Sequence, residues 1–566
     1  MKSHPKHIKG KLLSTCDYVC CLILAPVLAA SSYYIANENY NFTFGFILTS
    51  VVTFIILISL AYAARWFFQA STRADSKKHK LLNLLDKLFC CKHSVLAVSG
   101  IILLFWLLPL IFLYPGTCTN DTWGQLHEYM TFMNDPIGNS DGTVSDHHPI
   151  FDTFLIGTAI VPLSKLTGLW QPIIFLYVIV QAVITSLSFS CVVNYAYKKL
   201  ELGALPTALI LGMFCCIQIY PATVQIVSKD TLHSWVFVFY VLLFTELVRT
   251  KGSVAKNWKF MAMFLLVVIL CCLTKKVGFY VVLISLLFYV IFCRKNWLPM
   301  LIPLVCSVVL MVFIMPAVLK AMNVEQGEMR EMFSLPFQMS AKYVSDHPSD
   351  ITHEEYTVLD KTLNMDTLAK RYDASFADPV KNGCLISELP EFLDYTNVWL
   401  MQGVRHPDSY ALATGSMLAG WFSWQQYPPE MSCGWKDQFN PNEIPSYVPE
   451  RQGLNLEIAN SYRRMVYSLY EVPPLRLFHT SAFWSTLIIA FSLCTAIKFR
   501  RVHKKGWLVC VPCLCALVLG CYLAPTTSLT TDGARYLIPL IYASPLLIAW
   551  CFYLFKNMKK DGKAKP

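Results

Sequence analysis

The sequence predicts an all-α polytopic membrane protein with about twelve transmembrane helices and a mixed extracytoplasmic domain. Of its 566 residues, 55% are hydrophobic and only 15% are charged, and the mean hydropathy is +0.47. A soluble protein of this length would carry far more charge. Apolar stretches long enough to cross a bilayer recur along the chain, and basic residues border them as they border cytoplasmic loops.

The apolar stretches give the predicted helices in order. They cover residues 18–36, 43–66, 94–114, 150–168, 171–195, 203–222, 231–249, 259–276, 277–293, 298–319, 479–497, 507–525 and 535–555. The first is interpreted as a retained helix, because it lacks a clear small-residue cleavage pattern.

The basic clusters orient these helices. The formal net charge of +11 is concentrated beside the apolar stretches. Under the positive-inside rule, the clusters and both termini are cytoplasmic in a cell membrane. Counts from the two ends of the chain agree only if 150–168 lies along the surface or re-enters, which leaves about twelve crossings. No basic domain interleaved with aromatic residues occurs, so nucleic-acid binding does not explain the charge.

This topology divides the chain into four parts. Residues 1–93 hold two helices and a basic cytoplasmic loop, and residues 94–319 form the membrane core, with 115–170 as its first outer loop. Residues 320–478 form an extracytoplasmic domain of about 150 residues. Residues 479–566 hold the C-terminal helices and a basic cytoplasmic tail.

The cysteines do not indicate a disulfide framework. Most of the 21 lie in apolar stretches, where they behave as small buried apolar residues. They also lack the paired CxxC spacing of a zinc site. Cys384 and Cys433 lie in the predicted outer domain, where a disulfide is chemically allowed, and the sequence leaves their pairing open.

Polar residues from distant parts of the chain are predicted to meet at the outer membrane surface. Asp121 follows the third apolar stretch within one Pro-Gly turn. The others open or close apolar stretches and comprise Asp146, His147, His148, Lys229, Asp230, Lys275, Lys276, Arg535 and Tyr536. Titratable groups at both membrane ends of one loop indicate a reaction site.

Several of these residues also have a structural interpretation. Asp121 suits an Asx turn, Asp230 suits a helix N-cap, and His148 suits the cap of the surface helix. Arg535 and the Lys275-Lys276 pair can snorkel to the interface. The dibasic pair nevertheless lies on the outer face, against the positive-inside rule, and an anionic ligand would supply the partner that it needs.

The motifs resemble those of a known superfamily in their order and side of the membrane. They are Tyr114-Pro-Gly…Asp121, Asp146-His-His-Pro149, Ser228-Lys-Asp230, Lys275-Lys-Val-Gly278 and Arg535-Tyr-Leu-Ile-Pro539. From about residue 94 onward the chain resembles the GT-C superfamily of membrane glycosyltransferases, and within it an uncharacterised bacterial multi-pass glycosyltransferase-like family. Two N-terminal helices precede the usual first helix of that superfamily.

The resemblance implies an inverting transferase acting on the outer face. Its donor would be a polyprenyl-phosphate or diphosphate sugar, and its acceptor an envelope polymer, lipid or protein, within membrane lipid. Asp121 is the implied catalytic base, with Asp146 and His148 supporting it in the site. The substrate-binding set is His147, Lys229, Asp230, Lys275, Lys276, Arg535 and Tyr536. No cofactor is expected to bind tightly. Carboxylates and histidine are compatible with a divalent cation, but no dedicated ligand cluster predicts a metal site.

Two other classes of function compete with this reading. A multi-pass transporter or lipid flippase would have a similar number of helices, but it should place charges near mid-membrane and show paired broken helices. A scaffold or channel without catalytic activity would leave the cluster at one face unexplained.

Overall fold

The computed structural model describes residues 12–37, 39–40, 44–74, 80–136, 142–293, 296–424, 454–523 and 533–561. This part of the chain is almost entirely helical and contains one two-stranded sheet. Eight of its helices are long and apolar enough to cross a membrane, so the protein is an all-α multi-pass membrane protein, as predicted. They are Thr15–Asn37, Phe44–Thr72, Ser94–Phe112, Ile150–Thr167, Trp170–Lys198, Lys229–Arg249, Leu298–Ala321 and Arg535–Met558.

Four helices form the N-terminal part. They are α1 (Thr15–Asn37), α2 (Phe44–Ala74), α3 (Lys80–Cys90) and α4 (Ser94–Phe112). Helices α1 and α2 pack against each other, and the carboxylate of Asp17 pairs with the fully buried guanidinium of Arg65. This ion pair ties the first two helices together near the start of α1.

Two helices that follow α4 run side by side. The elements are β1 (Thr117–Cys118), α5 (Asn120–Phe132), α6 (Ile150–Thr167) and the long α7 (Trp170–Lys198). A Cβ atom on Gly157 of α6 would lie 2.2 Å from the Tyr129 ring of α5, so the two helices need glycine here. Asp135, which follows the end of α5, pairs with Lys165 in the last turn of α6. Helices α5 and α6 are therefore parallel.

The central part contains strand β2 and the helices before and after it. Its elements are α8 (Ala204–Cys216), α9 (Ile219–Val224), β2 (Ile226–Val227), α10 (Lys229–Arg249), α11 (Trp258–Thr274), α12 (Lys276–Phe292), α13 (Leu301–Val308) and α14 (Met315–Ala321). A Cβ atom on Gly278 would lie 2.1 Å from the Cys271 carbonyl oxygen. Glycine thus lets the start of α12 approach the end of α11. It fixes the turn of Lys275 and Lys276 between them, called the lysine turn below.

Most of the next segment forms a separate helical body. Its helices are α15 (Ser334–Asp346), α16 (His353–Leu363), α17 (Met365–Arg371), α18 (Asp378–Lys381), α19 (Leu389–Arg405) and α20 (Pro407–Leu418). Phe337, Leu359 and Tyr395 lie in its apolar core. Helices α21 (Leu454–Tyr470) and α22 (Pro473–Arg476) follow, and α21 packs against α4. The segment was predicted to be mixed, whereas its described residues form helices and one isolated bridge between Glu325 and Ser145. Cys433, the predicted optional partner of Cys384, lies outside the described residues.

The C-terminal helices complete the bundle. They are α23 (Ile488–Lys498), α24 (Val511–Leu517) and α25 (Ile538–Asp561), with short 3-10 or π-helical turns beside them. Helix α25 packs against α10 and α23, and its Tyr542 and Trp550 side chains are fully buried. This helix therefore lies in the middle of the membrane part.

The helical prediction is confirmed along the described chain. Besides the eight long helices, the remaining predicted stretches correspond to five shorter apolar helices. These are Ala204–Cys216, Trp258–Thr274, Lys276–Phe292, Phe483–Lys498 and Gly506–Tyr522. The number of helices that cross the bilayer remains a prediction.

Candidate active site

Two short parallel strands place two carboxylates at equivalent positions. Strand β1 pairs with β2, with Thr117 opposite Ile226 and Cys118 opposite Val227. Each strand leads directly into a helix whose first turn carries an aspartate, in Thr119-Asn-Asp-Thr122 and Ser228-Lys-Asp-Thr231. Asp121 of α5 and Asp230 of α10 therefore project from the same edge of the sheet.

Hydroxyl groups fix both turns. The Thr119 side chain accepts a hydrogen bond from the Thr122 backbone N–H, and the Thr122 hydroxyl oxygen accepts one from the Thr119 N–H at 2.9 Å. Ser228 caps α10 in the same way by accepting from the Thr231 N–H at 3.2 Å. The Thr122 hydroxyl also donates to the Val227 carbonyl, so the first turn is tied to the second strand.

Asp121 lies between two cations. Its Oδ2 atom is 3.0 Å from Lys229 Nζ and 3.1 Å from Arg535 Nη2. The side chain keeps 18% of its surface exposed, which leaves it accessible to a ligand. Burial opposes its ionisation, but the charges of Lys229 and Arg535 outweigh this and hold the pKa of Asp121 well below its usual range.

His148 is the neutral member of the cluster. Its Nδ1 atom lies 2.5 Å from Lys229 Nζ and 4.0 Å from Asp121 Oδ2. Burial and the neighbouring Lys229 charge lower the pKa of His148 to about 3. Because an ammonium group can only donate, His148 Nδ1 accepts and its proton resides on Nε2. His148 therefore orients Lys229 and does not add charge at neutral pH.

Asp230 is fully buried beneath this layer. Its Oδ1 atom accepts a hydrogen bond from Lys275 Nζ at 2.5 Å, and its Oδ2 atom lies 3.6 Å from Arg535 Nε. The Tyr536 ring flanks both cations, with its centroid 5.1 Å from Lys275 Nζ and 5.5 Å from Arg535 Cζ. Arg535 thus lies between the two equivalent aspartates and contacts one through each side of its guanidinium.

Asp146 and Lys276 form a separate pair. Asp146 Oδ2 lies 3.0 Å from Lys276 Nζ, and Asp146 Oδ1 accepts a hydrogen bond from the Ile150 N–H at 3.1 Å. Asp146 therefore caps α6, a role that the sequence had suggested for His148. His147 is exposed and lies beside the site, where its ring contacts the His148 ring at a centroid distance of 4.6 Å.

The predicted site residues thus form two groups, those that belong to one contact network and those that lie outside it. One contact network joins Asp121, His148, Lys229, Asp230, Lys275, Arg535 and Tyr536. Three cations in it face two carboxylates, which leaves one excess positive charge among these groups. Such a site suits an anion with several oxygen atoms, since a guanidinium can bind two of them at once.

Two acidic residues near the site were not singled out from the sequence. Asp152 in the first turn of α6 is fully buried, and neither carboxylate oxygen has a hydrogen-bond partner among the described residues. Glu128 of α5 accepts a hydrogen bond from Ser145 at 2.8 Å, and burial raises its pKa above the usual range. The available signal was an acidic residue inside an apolar or mostly buried helical stretch.

Comparisons with known proteins identify a family without a known activity. Residues 136–565 match the model of a family of unknown function, DUF6020, a range that includes every predicted site residue except Asp121. The chain matches no curated protein and no solved structure. Since the family model covers most of its length, the chain belongs to the family of unknown function DUF6020.

Proposed function

We propose that the protein is a GT-C-type membrane glycosyltransferase, a hexosyl- or pentosyltransferase. It moves a sugar from a polyprenyl-phosphate or diphosphate lipid to a hydroxyl group of an envelope polymer, lipid or protein. One observation carries this proposal. Asp121, partly exposed, lies beside the two cations Lys229 and Arg535, and a third cation, Lys275, pairs with the neighbouring Asp230. These groups lie at the ends of apolar helices, where a lipid phosphate and an incoming hydroxyl can meet.

The proposed topology has twelve crossings with both termini in the cytoplasm of a cell membrane. The thirteen apolar helices fit twelve crossings if α6 lies at the outer surface. Its parallel packing on the more polar α5 supports that position, because α5 is not an apolar span. Asp121, Asp230, the lysine turn and Arg535 then share the outer face.

The proposed reaction is a single displacement at the anomeric carbon of the donor sugar. The acceptor oxygen forms a bond to this carbon while the bond from the carbon to the phosphate oxygen breaks. Asp121 takes the hydroxyl proton, and the bonding electron pair leaves with the lipid phosphate. Lys229 and Arg535, with Lys275 behind them, stabilise the charge that develops on the phosphate.

The ion pairs of Asp121 suggest how donor binding activates the base. In the free site, Lys229 and Arg535 make Asp121 a weak base, as its lowered pKa indicates. A donor phosphate competes for the same two cations. As they turn toward the phosphate, the pKa of Asp121 rises toward its usual range, so the base strengthens only when the donor is bound.

A transporter or flippase is the alternative, and one observation favours it. Asp17 and Arg65 form a buried ion pair within the first two apolar helices, and charges inside membrane segments often line transport pathways. That pair lies near the start of α1, however, and the larger cluster lies at one face. A transport pathway would require charged residues in the membrane between the Asp17–Arg65 pair and the cluster around Asp121.

The transferase proposal is tested with purified protein in detergent and a polyprenyl-phosphate sugar. Asp121→Asn keeps the shape and the capped turn but removes the base, so turnover should fall about 10²–10⁴-fold. Asp135→Asn, which alters another acid of the same loop, should retain near-normal turnover. Near-normal transfer by Asp121→Asn would overturn the proposed role of this residue, and absence of transfer by the unaltered protein would favour transport.

The topology is tested by labelling cysteines in intact cells. Glu354 and Val404 are exposed on the helical body formed by α15–α20. Glu354→Cys and Val404→Cys should react with a membrane-impermeant maleimide from outside, above the background of the unaltered chain. Labelling only after the cells are opened would place this body in the cytoplasm and contradict the proposed outer site.

A further inference from the structure

A second constellation of metal-ligating side chains lies in the helical body, outside the candidate active site. A ring nitrogen of His347, a ring nitrogen of His406 and a carboxylate oxygen of Asp350 lie within 4.8 Å of one another. His347 ends α15, Asp350 follows in a short 3-10 turn, and His406 joins α19 to α20. Two chain segments that are distant in sequence therefore converge on one point.

Asp408 lies beside this cluster of three residues without belonging to it. Asp408 Oδ2 lies 3.5 Å from His347 Nε2, and Asp350 Oδ2 lies 3.2 Å from His406 Nε2. Each imidazole thus faces a carboxylate, while the two rings stack with centroids 3.8 Å apart. The Tyr343 ring lies behind both histidines, with centroids at 6.1 and 5.4 Å.

We propose that His347, His406 and Asp350 bind a divalent transition-metal ion of the zinc class, with the exposed Asp408 turning toward the ion as the fourth ligand. Two imidazoles and two carboxylates form a ligand set that Zn²⁺ takes up in four-coordinate geometry. Tetrahedral coordination would bring the two histidine nitrogens to about 3.3 Å from each other, given bonds of about 2.0–2.1 Å. The half-buried rings need only fan apart at their far edges to reach this geometry.

The proposed ion would tie two joints of the helical body together. It would link the turn after α15 to the junction between α19 and α20, which are separate in sequence but adjacent in space. This role is structural and independent of the proposed transfer reaction. It also differs from the sequence prediction, which expected no metal site.

A simpler interpretation competes with metal binding. The same four side chains can form two histidine–aspartate hydrogen bonds at the surface, with no ion between them. The two interpretations differ in what the protein does with added metal. Bound Zn²⁺ raises the midpoint of thermal unfolding, whereas isolated hydrogen-bonded pairs would leave it unchanged.

The test uses the full chain in detergent, stripped of metal with a chelator and dialysed. Titration with Zn²⁺ should reveal one site that the double variant His347→Gln, His406→Gln lacks. Asp350→Asn should weaken binding by about 10–100-fold. His353→Gln changes an exposed histidine at the start of α16 and should leave binding unaltered.

Two further measurements test metal binding in the unaltered protein, without relying on the variants. Co²⁺ in the unaltered protein should give the visible absorption of a four-coordinate ion with nitrogen and oxygen ligands. Zn²⁺ should protect His347 and His406 of the unaltered protein from diethyl pyrocarbonate, a readout that does not depend on folding of the variants. Equal binding by the double variant, or no binding and no protection in the unaltered protein, would overturn the proposal.

Discussion

The turns that carry Asp121 and Asp230 share a backbone design but differ in their surroundings. Both follow a two-residue strand, both are capped by a hydroxyl group, and both contact Arg535. Asp121 lies in the first turn of α5 and retains exposed surface, whereas Asp230 lies in the first turn of a long apolar helix and is fully buried. The same strand and hydroxyl-capped turn can therefore position either an accessible acid or a buried counter-ion for cations.

The largest expected effect is on the free energy of unfolding, and it distinguishes the buried Asp230 from the accessible Asp121. Asp230→Ala leaves Lys275 and Arg535 without their buried counter-charge, so we expect the free energy of unfolding to fall by about 3–5 kcal/mol. Asp121→Ala should cost less, because water reaches that position. Thermal unfolding of both variants in the same detergent measures the difference. Equal losses would remove the distinction between the two turns.

The next effect concerns pH and the neutral histidine beside Asp121. The pKa of His148 is about 3 in the folded protein, below the usual value of about 6.5. Between these values the unfolded chain binds a proton that the folded protein does not, so stability falls as the pH is lowered. The loss is at most about 1.4 kcal/mol per pH unit.

Unfolding midpoints measured from pH 7 to pH 5 check this dependence. His148→Gln should flatten the slope, while the exposed His353→Gln should not change it. Asp121 contributes in the same direction but at lower pH, because its pKa is lowered and its stabilisation is lost only as it protonates. An unchanged slope in His148→Gln would show that His148 is not held neutral.

The smallest expected effect tests the guanidinium that lies between the two turns. Arg535→Lys keeps the charge but cannot contact both aspartates and a phosphate in a fixed plane. We expect donor binding about tenfold weaker, equivalent to about 1.4 kcal/mol, with insertion and folding intact. Titration with a polyprenyl-phosphate sugar, and with bulk phospholipid as control, measures it. Unchanged donor affinity would remove Arg535 from the binding site.

Sequence reasoning predicted the helices well because hydrophobic stretches report burial directly. Their ends were less certain. The run Thr352 to Leu368 reads as one helix, but Asn364 adopts a positive φ of 56° and divides it into α16 and α17. Asparagine tolerates this conformation better than most residues, and the sequence alone does not show whether it is adopted.

Most members of the contact network could be predicted from the sequence, but their pairing could not. Topology brought Asp121, Asp230 and Arg535 to one surface, but it could not show that strands of two residues align the first two. Strands so short carry no periodicity. Asp152 was overlooked because an acidic residue in a first helical turn ordinarily interacts with the helix dipole. Only the packing shows that both of its oxygens lack a partner.

The central position of α25 has a consequence for how the protein is made. Arg535 opens this helix, which is synthesised after the segments that carry Asp121, Lys229 and Asp230. Until α25 enters the membrane, the partially made chain holds these groups without their guanidinium and lacks the helix that fills its middle. We therefore expect an incompletely packed intermediate during synthesis, which lasts until α25 is inserted. A ribosome stalled before Arg535 should leave a chain that membrane proteases recognise as incomplete.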